Sequence, residues 1–276
     1  IKWLRNRKQV YGELQERMDQ SGESQVSLTD PDARSMVLGH SRGTEVAYNV
    51  QISVDAKHKL IVDYEVTNAG NDKNQLSAMA IRAKEALEAE SLEVVADQGY
   101  YCSTEIKDCI EGGVTPYLRK PKDKNSRGRF PRARFRYDRE NDCYWCPAGK
   151  ALPFKYQTTY RGREVRDYIA EDCSDCSLRP KCTRSKTGRK IQRLVDEELL
   201  EEMHQRVQAE PDKVKQRKRI VEHPFGTMKR SMDQGYFLTR RLPGVQTETS
   251  LTMLAYNIKR ALGLKSVQEL MAALPL

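Results

Sequence analysis

Leu92-Glu93-Val94-Val95-Ala96-Asp97-Gln98-Gly99-Tyr100 is the stretch on which the fold turns. Its first part is short, apolar and β-branched, the pattern of a strand buried at the centre of a sheet. The strand breaks at a carboxylate and a glycine turn, which brings Asp97 to its C-terminal end, where open sheets gather ligands. Gly99 lets the chain turn sharply and leaves the carboxylate accessible. Capping that turn is the plainer role for Asp97.

Working outward, Tyr48, Val50, Ile52 and Val54 alternate with polar residues. Leu60, Val62, Tyr64 and Val66 do the same after the turn Asp55-Ala56-Lys57-His58. The alternation predicts a hairpin with one buried face. Asp72 is placed to cap a helix in which Leu76, Met79, Ala80, Ala83 and Leu87 follow the helical period. A second helix through Ile106 and Ile110 ends at Gly112-Gly113, and Val114–Leu118 reads as a further strand. Hairpin, helix, strand, helix, strand is an α/β layer order.

Residues 1–20 read as the end of a charged amphipathic helix carrying Trp3, Tyr11, Leu14 and Met18. A polar break at Gln20-Ser21-Gly22-Glu23-Ser24 and the turn signal Thr29-Asp30-Pro31-Asp32 follow. A chain that opens inside a helical pattern with no initiator Met is expected to be the C-terminal part of something longer. Beyond Leu118 the character changes. Residues 118–136 hold nine Lys/Arg (119, 120, 122, 124, 127, 129, 132, 134 and 136) against one acid, Asp123, with Phe130 and Phe135 interspersed. Such a run suits phosphate contacts and base stacking, or equally a solvated loop. Cysteine, tyrosine and short β-like pieces dominate residues 137–190. From Ile191 helices resume, with Pro211 between two of them, and the last places Leu251, Leu254, Ala255, Ile258 and Leu262 on one face before Gly263. The expected division is 1–26 as the end of a helical insertion, 27–118 as the first part of an α/β core, 119–190 as a basic, cysteine-rich insertion, and 191–276 as the helical remainder.

Over 276 residues, 48 Lys+Arg outweigh 39 Asp+Glu for a formal net charge of +9, which favours a polyanionic partner such as nucleic acid. No apolar run approaches the roughly 18 residues of a membrane helix, and no signal peptide is visible. Seven cysteines without a secretory signal point to reduced thiols or a metal rather than disulfides. His40, His58 and His204 are isolated and carry no assignment.

The second informative stretch is Glu222-His223-Pro224-Phe225-Gly226-Thr227-Met228-Lys229, where a carboxylate stands seven residues before a lysine on one helix face. Lys213, Lys215, Arg217, Lys218, Arg219 and Lys229 crowd it. A carboxylate among such cations stays ionised and suits Mg²⁺ or Mn²⁺, while the cations suit phosphates. An ordinary solvated helix with charge pairs is the plain alternative. Pro224 implies that the helix starts or bends near Val221. His223, about 100° round the helix from Glu222, is assigned nothing. Acids from Asp97 and Glu222 would suit metal-assisted phosphoryl displacement, which usually needs a third acid. Asp30 and Asp32 lie where one could be, but Asp-Pro-Asp is first a turn.

Cys143-x-x-Cys146 and Cys173-x-x-Cys176-x5-Cys182 supply five thiols for the four positions of a tetrahedral zinc site. Cys146, Cys173, Cys176 and Cys182 are the chosen set, with Cys143 the substitute and unmetallated thiols the alternative. Cys102 and Cys109 read as structural thiols.

Together these stretches resemble the bacterial insertion-sequence transposases with an RNase H-like DDE catalytic domain, in the branch with a cysteine-bearing insertion. The resembling residues run from Thr29-Asp30-Pro31-Asp32-Ala33-Arg34 through Tyr48-Asn49-Val50-Gln51, Val66-Thr67-Asn68-Ala69-Gly70-Asn71-Asp72 and Ala96-Asp97-Gln98-Gly99-Tyr100. They continue with Cys146-Pro147-Ala148-Gly149, the Cys173/Cys176/Cys182 set, Val221-Glu222-His223-Pro224-Phe225-Gly226 and Leu254-Ala255-Tyr256-Asn257. The resemblance implies an α/β fold with an RNase H-like mixed sheet flanked by helices and interrupted by the small cysteine-rich β insertion. It implies Asp97 and Glu222 as the second and third acids, holding Mg²⁺ or Mn²⁺ in a two-metal site. Lys218, Arg219, Lys229 and Arg230 would lie along DNA phosphates. The partners implied are element ends and target DNA, with a homo-oligomer during transposition, in the bacterial cytoplasm at the nucleoid. In this family the first acid follows an Asp-Gly-Ser/Thr pattern, and no Asp-Gly dipeptide occurs in this chain. The fragment is therefore expected to lack that acid, to bind DNA and to cut it poorly. Where the wider family has an arginine four residues before its glutamate, Lys218 stands here, keeping the charge without bidentate geometry. The rival classes are a non-catalytic zinc-containing DNA-binding protein and a cellular RNase H-like nuclease.

Overall fold

The computed structural model describes residues 1–22, 25–37, 43–121 and 128–273, so Glu23, Ser24, His40, Lys122, Asp123, Lys124 and Arg127 lie outside the described residues. In chain order the elements open with α1 (Lys2–Ser21), β1 (Arg34–Val37), β2 (Thr44–Ala47), β3 (Asn49–Val54), β4 (Ile61–Thr67), α2 (Leu76–Ala86), β5 (Leu92–Val95), α3 (Ser103–Glu111) and β6 (Val114–Tyr117). They continue with β7 (Arg136–Asp138), β8 (Cys143–Trp145), β9 (Ala151–Tyr160), β10 (Arg163–Ile169), α4 (Arg179–Cys182), β11 (Lys190–Leu194), α5 (Glu197–Ala209), α6 (Pro211–Ser231), α7 (Leu242–Leu262) and α8 (Val267–Ala272). No helix among the described residues is long and apolar enough to cross a membrane. The chain forms two compact units, Ile1–Leu118 with Val207–Leu276, and Arg119–Arg206.

The first unit is a mixed α/β layer. β3 and β4 pair antiparallel with Ile52 opposite Tyr64, and β5 and β6 pair parallel with Val94 opposite Pro116. These are separate two-stranded ladders, each strand keeping one edge unpaired among the described residues. The hairpin is covered on both faces rather than one. α2 crosses one face, where Arg82 pairs with Asp63 at 2.9 Å and Glu65 at 2.7 Å. On the other, Ile61 packs with Met228, Met253 and Tyr256, with Val50, Ile52 and Tyr64 against them. Asn257 of α7 fastens this face, its amide bonding both the N–H and the C=O of Ile61 at 2.8 Å.

Two sequence expectations, the Asp72 cap and a helix start near Val221, are corrected here. α2 starts after Gln75 with no side-chain cap, because Asp72 is turned toward β3 instead. α6 begins at Pro211 and runs through Pro224 without starting at Val221, its buried face of Val214, Pro224 and Met228 holding it against the sheet. α7 buries Val245, Thr249, Thr252, Met253 and Tyr256, whereas Leu251, Leu254, Ile258 and Leu262 face solvent. Polar contacts at Ser250 and Asn257 choose that face over the apolar one.

The second unit is a five-stranded antiparallel sheet in the order β11-β10-β9-β8-β7, with α4 and most of α5. It continues past residue 190 to Arg206 because β11 pairs along β10, Ile191 opposite Tyr168. Phe135, Tyr144, Leu152, Tyr168 and Ile191 build its core. Asp142 ties the aromatic layer, accepting from Tyr137 at 2.8 Å, Tyr168 at 2.7 Å and Arg166 at 2.7 Å.

Candidate functional site

Asp97 leaves the C-terminal end of β5, and its carboxylate accepts the Gln98 N–H at 2.7 Å, so it does cap the turn. Its other oxygen lies 3.3 Å from the Arg217 guanidinium of α6, and more than half of the side chain remains exposed. A second ion pair, Lys213 to Glu93 at 2.9 Å, binds the start of α6 to β5. From Lys213–Glu93 to Arg217–Asp97, helix and strand run in the same sense. Glu222 therefore stands about 7.5 Å further along the α6 axis, past the end of β5.

On α6 it is Arg217, with Ile220 and Val221, that faces the cleft holding Asp97. Glu222 is about 140° round the helix from Arg217. It is exposed, with Lys218 one turn back at 3.7 Å. Asp97 and Glu222 are thus delivered by adjoining elements, but each has a cation, not the other acid, as its direct partner. Lys218, Arg219, Lys229 and Arg230 are all exposed on α6, and Lys229 shares the Glu222 face.

Beside Asp97 lies a polar network that sequence reasoning did not assign. Asp72 accepts the amides of Asn49 and Gln51, both at 2.8 Å, and Gln51 is buried. Tyr100 donates to the Gln51 carbonyl. Burial pushes the Tyr100 phenol above its ordinary range, and the nearby Asp72 and Asp97 charges add to this. The signal was present as polar residues at alternate positions of a strand, Asn49 and Gln51, whose side chains share one face.

A cleft of about 320 Å³ opens between β3 and β5. Gln51–Asp55 line it as consecutive residues, and so do Leu92–Asp97. Successive side chains of a strand point to opposite faces, so unbroken runs mean that strand edges, not faces, bound the cleft. Met79 and Ala83 of α2 and Ile220 of α6 add apolar walls.

Asp30 and Asp32 serve structure. Asp30 is buried and accepts from Tyr48 at 2.8 Å and from the Arg241 N–H at 3.1 Å, while Asp32 accepts the Leu242 N–H at 2.9 Å. Together they cap the start of α7. His223 bonds Tyr256 at 3.0 Å inside the packed face and has its pKa lowered, by burial first and then by the Lys59 and Arg260 charges.

In the second unit, Cys146, Cys173, Cys176 and Cys182 line one small pocket, and Cys143 does not. Burial raises the Cys143 thiol, which sits in β8 opposite Pro153. In the first unit, Cys109 is fully buried and pushed up to about 12 by burial, while Cys102 lies 3.1 Å from the Thr104 hydroxyl.

Carboxylates are the right donors for Mg²⁺ or Mn²⁺. Yet among the described residues no group of three or more His, Cys, Asp or Glu side chains stands in a metal-holding arrangement. Neither Asp97 nor Glu222 belongs to such a group.

Residues 145–262 match a family model described as Transposase DDE domain. The matched span includes Glu222 and the four pocket cysteines and begins after Asp97. No curated protein and no solved structure matches.

Proposed function

We propose that this chain is the catalytic part of a DDE transposase, in which Asp97 and Glu222 are two of the three acids and a further strand supplies the first. The observation that carries this reading is the end of β5. There an accessible carboxylate stands between an open sheet edge and a cationic helix bearing a second carboxylate. The family match over residues 145–262 supports the same reading from the other end of the chain.

The cleft between β3 and β5 supports the missing strand. Each edge carries unpaired N–H and C=O groups, a template for strand addition. A strand entering there would join both ladders into one mixed sheet of the RNase H-like kind, and would lie beside β5, next to Asp97. The apolar walls from α2 and α6 suit a strand buried on both faces.

When bound, divalent ions supply activation of water and stabilisation of the leaving oxygen. With two of the three acids in hand, the protein's own part is binding and placement. Lys218, Arg219, Lys229 and Arg230 hold phosphates from solvent-exposed positions. Arg217 neutralises Asp97 at rest and is placed to take a phosphate when Asp97 turns to a metal.

A nicking assay on duplex DNA with Mn²⁺, run on this chain and on Asp97→Asn, tests the reading. The expected result is DNA binding with poor cutting. Robust cutting that needs Asp97 would refute the absent first acid. Robust cutting equal in both proteins would remove Asp97 from the site. Amide exchange gives a second check, since outward N–H groups of residues 51–55 and 92–96 should exchange fast until a strand is added.

A further inference from the structure

We propose that Cys146, Cys173, Cys176 and Cys182 bind one zinc ion that staples the second unit. The four are brought from three separate places: the turn after β8, the segment after β10, and α4. Cys173, Cys176 and Cys182 are near neighbours in sequence, and the fold brings Cys146 to join them in a single pocket. All seven cysteines are free thiols, so no disulfide uses them.

The lining is chemically simple. Among the described residues no His, Asp or Glu lines the pocket, whereas Lys150, Arg179 and Arg189 do. A zinc bound by four thiolates carries net negative charge, and these cations offset it. The Lys150 N–H points at the Cys146 sulfur at 3.3 Å, across a turn closed by Gly149 N–H to Cys146 C=O at 2.9 Å. Gly188 has φ +96° and approaches so closely that a Cβ would meet the Ala170 carbonyl at 2.7 Å and the Cys173 sulfur at 3.5 Å.

Selection among the five candidate thiols follows from strand alternation. Tyr144 points into the core that Cys182 joins and that Cys146 and Cys173 pack against. Cys143, its neighbour in β8, points the other way. The sulfurs do not yet form a metal-holding arrangement. Binding turns the side chains inward, and each coordinating thiol releases its proton to solvent. A small unit with a long irregular segment between β10 and β11 gains most from such a staple.

The test is metal analysis of the whole chain purified without chelator, with Co²⁺ substitution as a spectroscopic probe. About one zinc per chain and the visible spectrum of tetrahedral cobalt thiolate are expected. Cys146→Ser and Cys182→Ser should lose the metal, and Cys143→Ser should keep it. Absence of zinc together with no cobalt spectrum overturns the proposal, as does equal metal loss in Cys143→Ser. Fewer than seven titratable thiols in the unreduced, denatured protein would also overturn it. The cobalt titration uses the unaltered chain, so a variant that fails to fold leaves the proposal testable. None of these readouts depends on DNA cutting.

Discussion

At Asp30, burial alone would raise the carboxyl, but bonds from Tyr48, Arg241 and Asp32 hold it below its ordinary value of 3.8. An acid whose folded pKa is depressed contributes stability that is present above the unfolded value. That stability is lost as pH falls from about 3.8 through the lower folded value. Asp30→Asn places an amide N–H₂ against donors. It should lower stability at neutral pH by about 1–3 kcal/mol and flatten the acid limb below pH about 4, read from urea midpoints across pH. Asp97 is different, because its ion pair is exposed. Asp97→Asn keeps an oxygen for the Gln98 N–H, and chemical denaturation should show a change under about 1 kcal/mol. Sequence reading reached Asp97 from its strand-end position. It did not reach Asp72, whose partners Asn49 and Gln51 lie 23 and 21 residues away, a contact that local pattern does not encode.

Among the elements, α7 shows how packing can override pattern. Its apolar residues Leu251, Leu254, Ile258 and Leu262 share one face, as the period predicts, but that face is exposed and the opposite one packs. Asn257 explains part of the choice, because its amide imitates a neighbouring strand at Ile61. Asn257→Ala leaves both backbone groups without partners and should cost about 2 kcal/mol in an equilibrium unfolding measurement. In the second unit, Gly188→Ala meets a positive φ and a backbone carbonyl at once. It should destabilise that unit by more than about 1 kcal/mol, seen as faster amide exchange across β10 and β11. α6 was legible as a cationic helix with an acid, but its length was not. Pro224 signalled a start or bend near Val221, whereas the helix begins at Pro211 and stays helical through the buried Pro224.

For the whole molecule, the net charge of +9 governs how it meets a polyanion. Binding to duplex DNA should weaken steeply with salt. Replacing Lys218, Arg219, Lys229 or Arg230 singly by Ala should reduce the slope of log affinity against log salt by about 0.9 for each phosphate that the side chain neutralises, measured by fluorescence anisotropy. Replacing an exposed lysine of α1 should leave the slope unchanged.

By itself the sequence determined the chemistry available: a strand-end acid, a helix-borne acid among cations, five close-spaced thiols and a basic surface. Each is a local property, set by residue type and by periods of two or 3.6 residues. Which cation each acid meets, that the four chosen thiols share a pocket and which edges stand open were decided only by tertiary structure. Those facts depend on chain segments far apart in sequence, and their packing is fixed by burial and hydrogen-bond satisfaction summed over the fold.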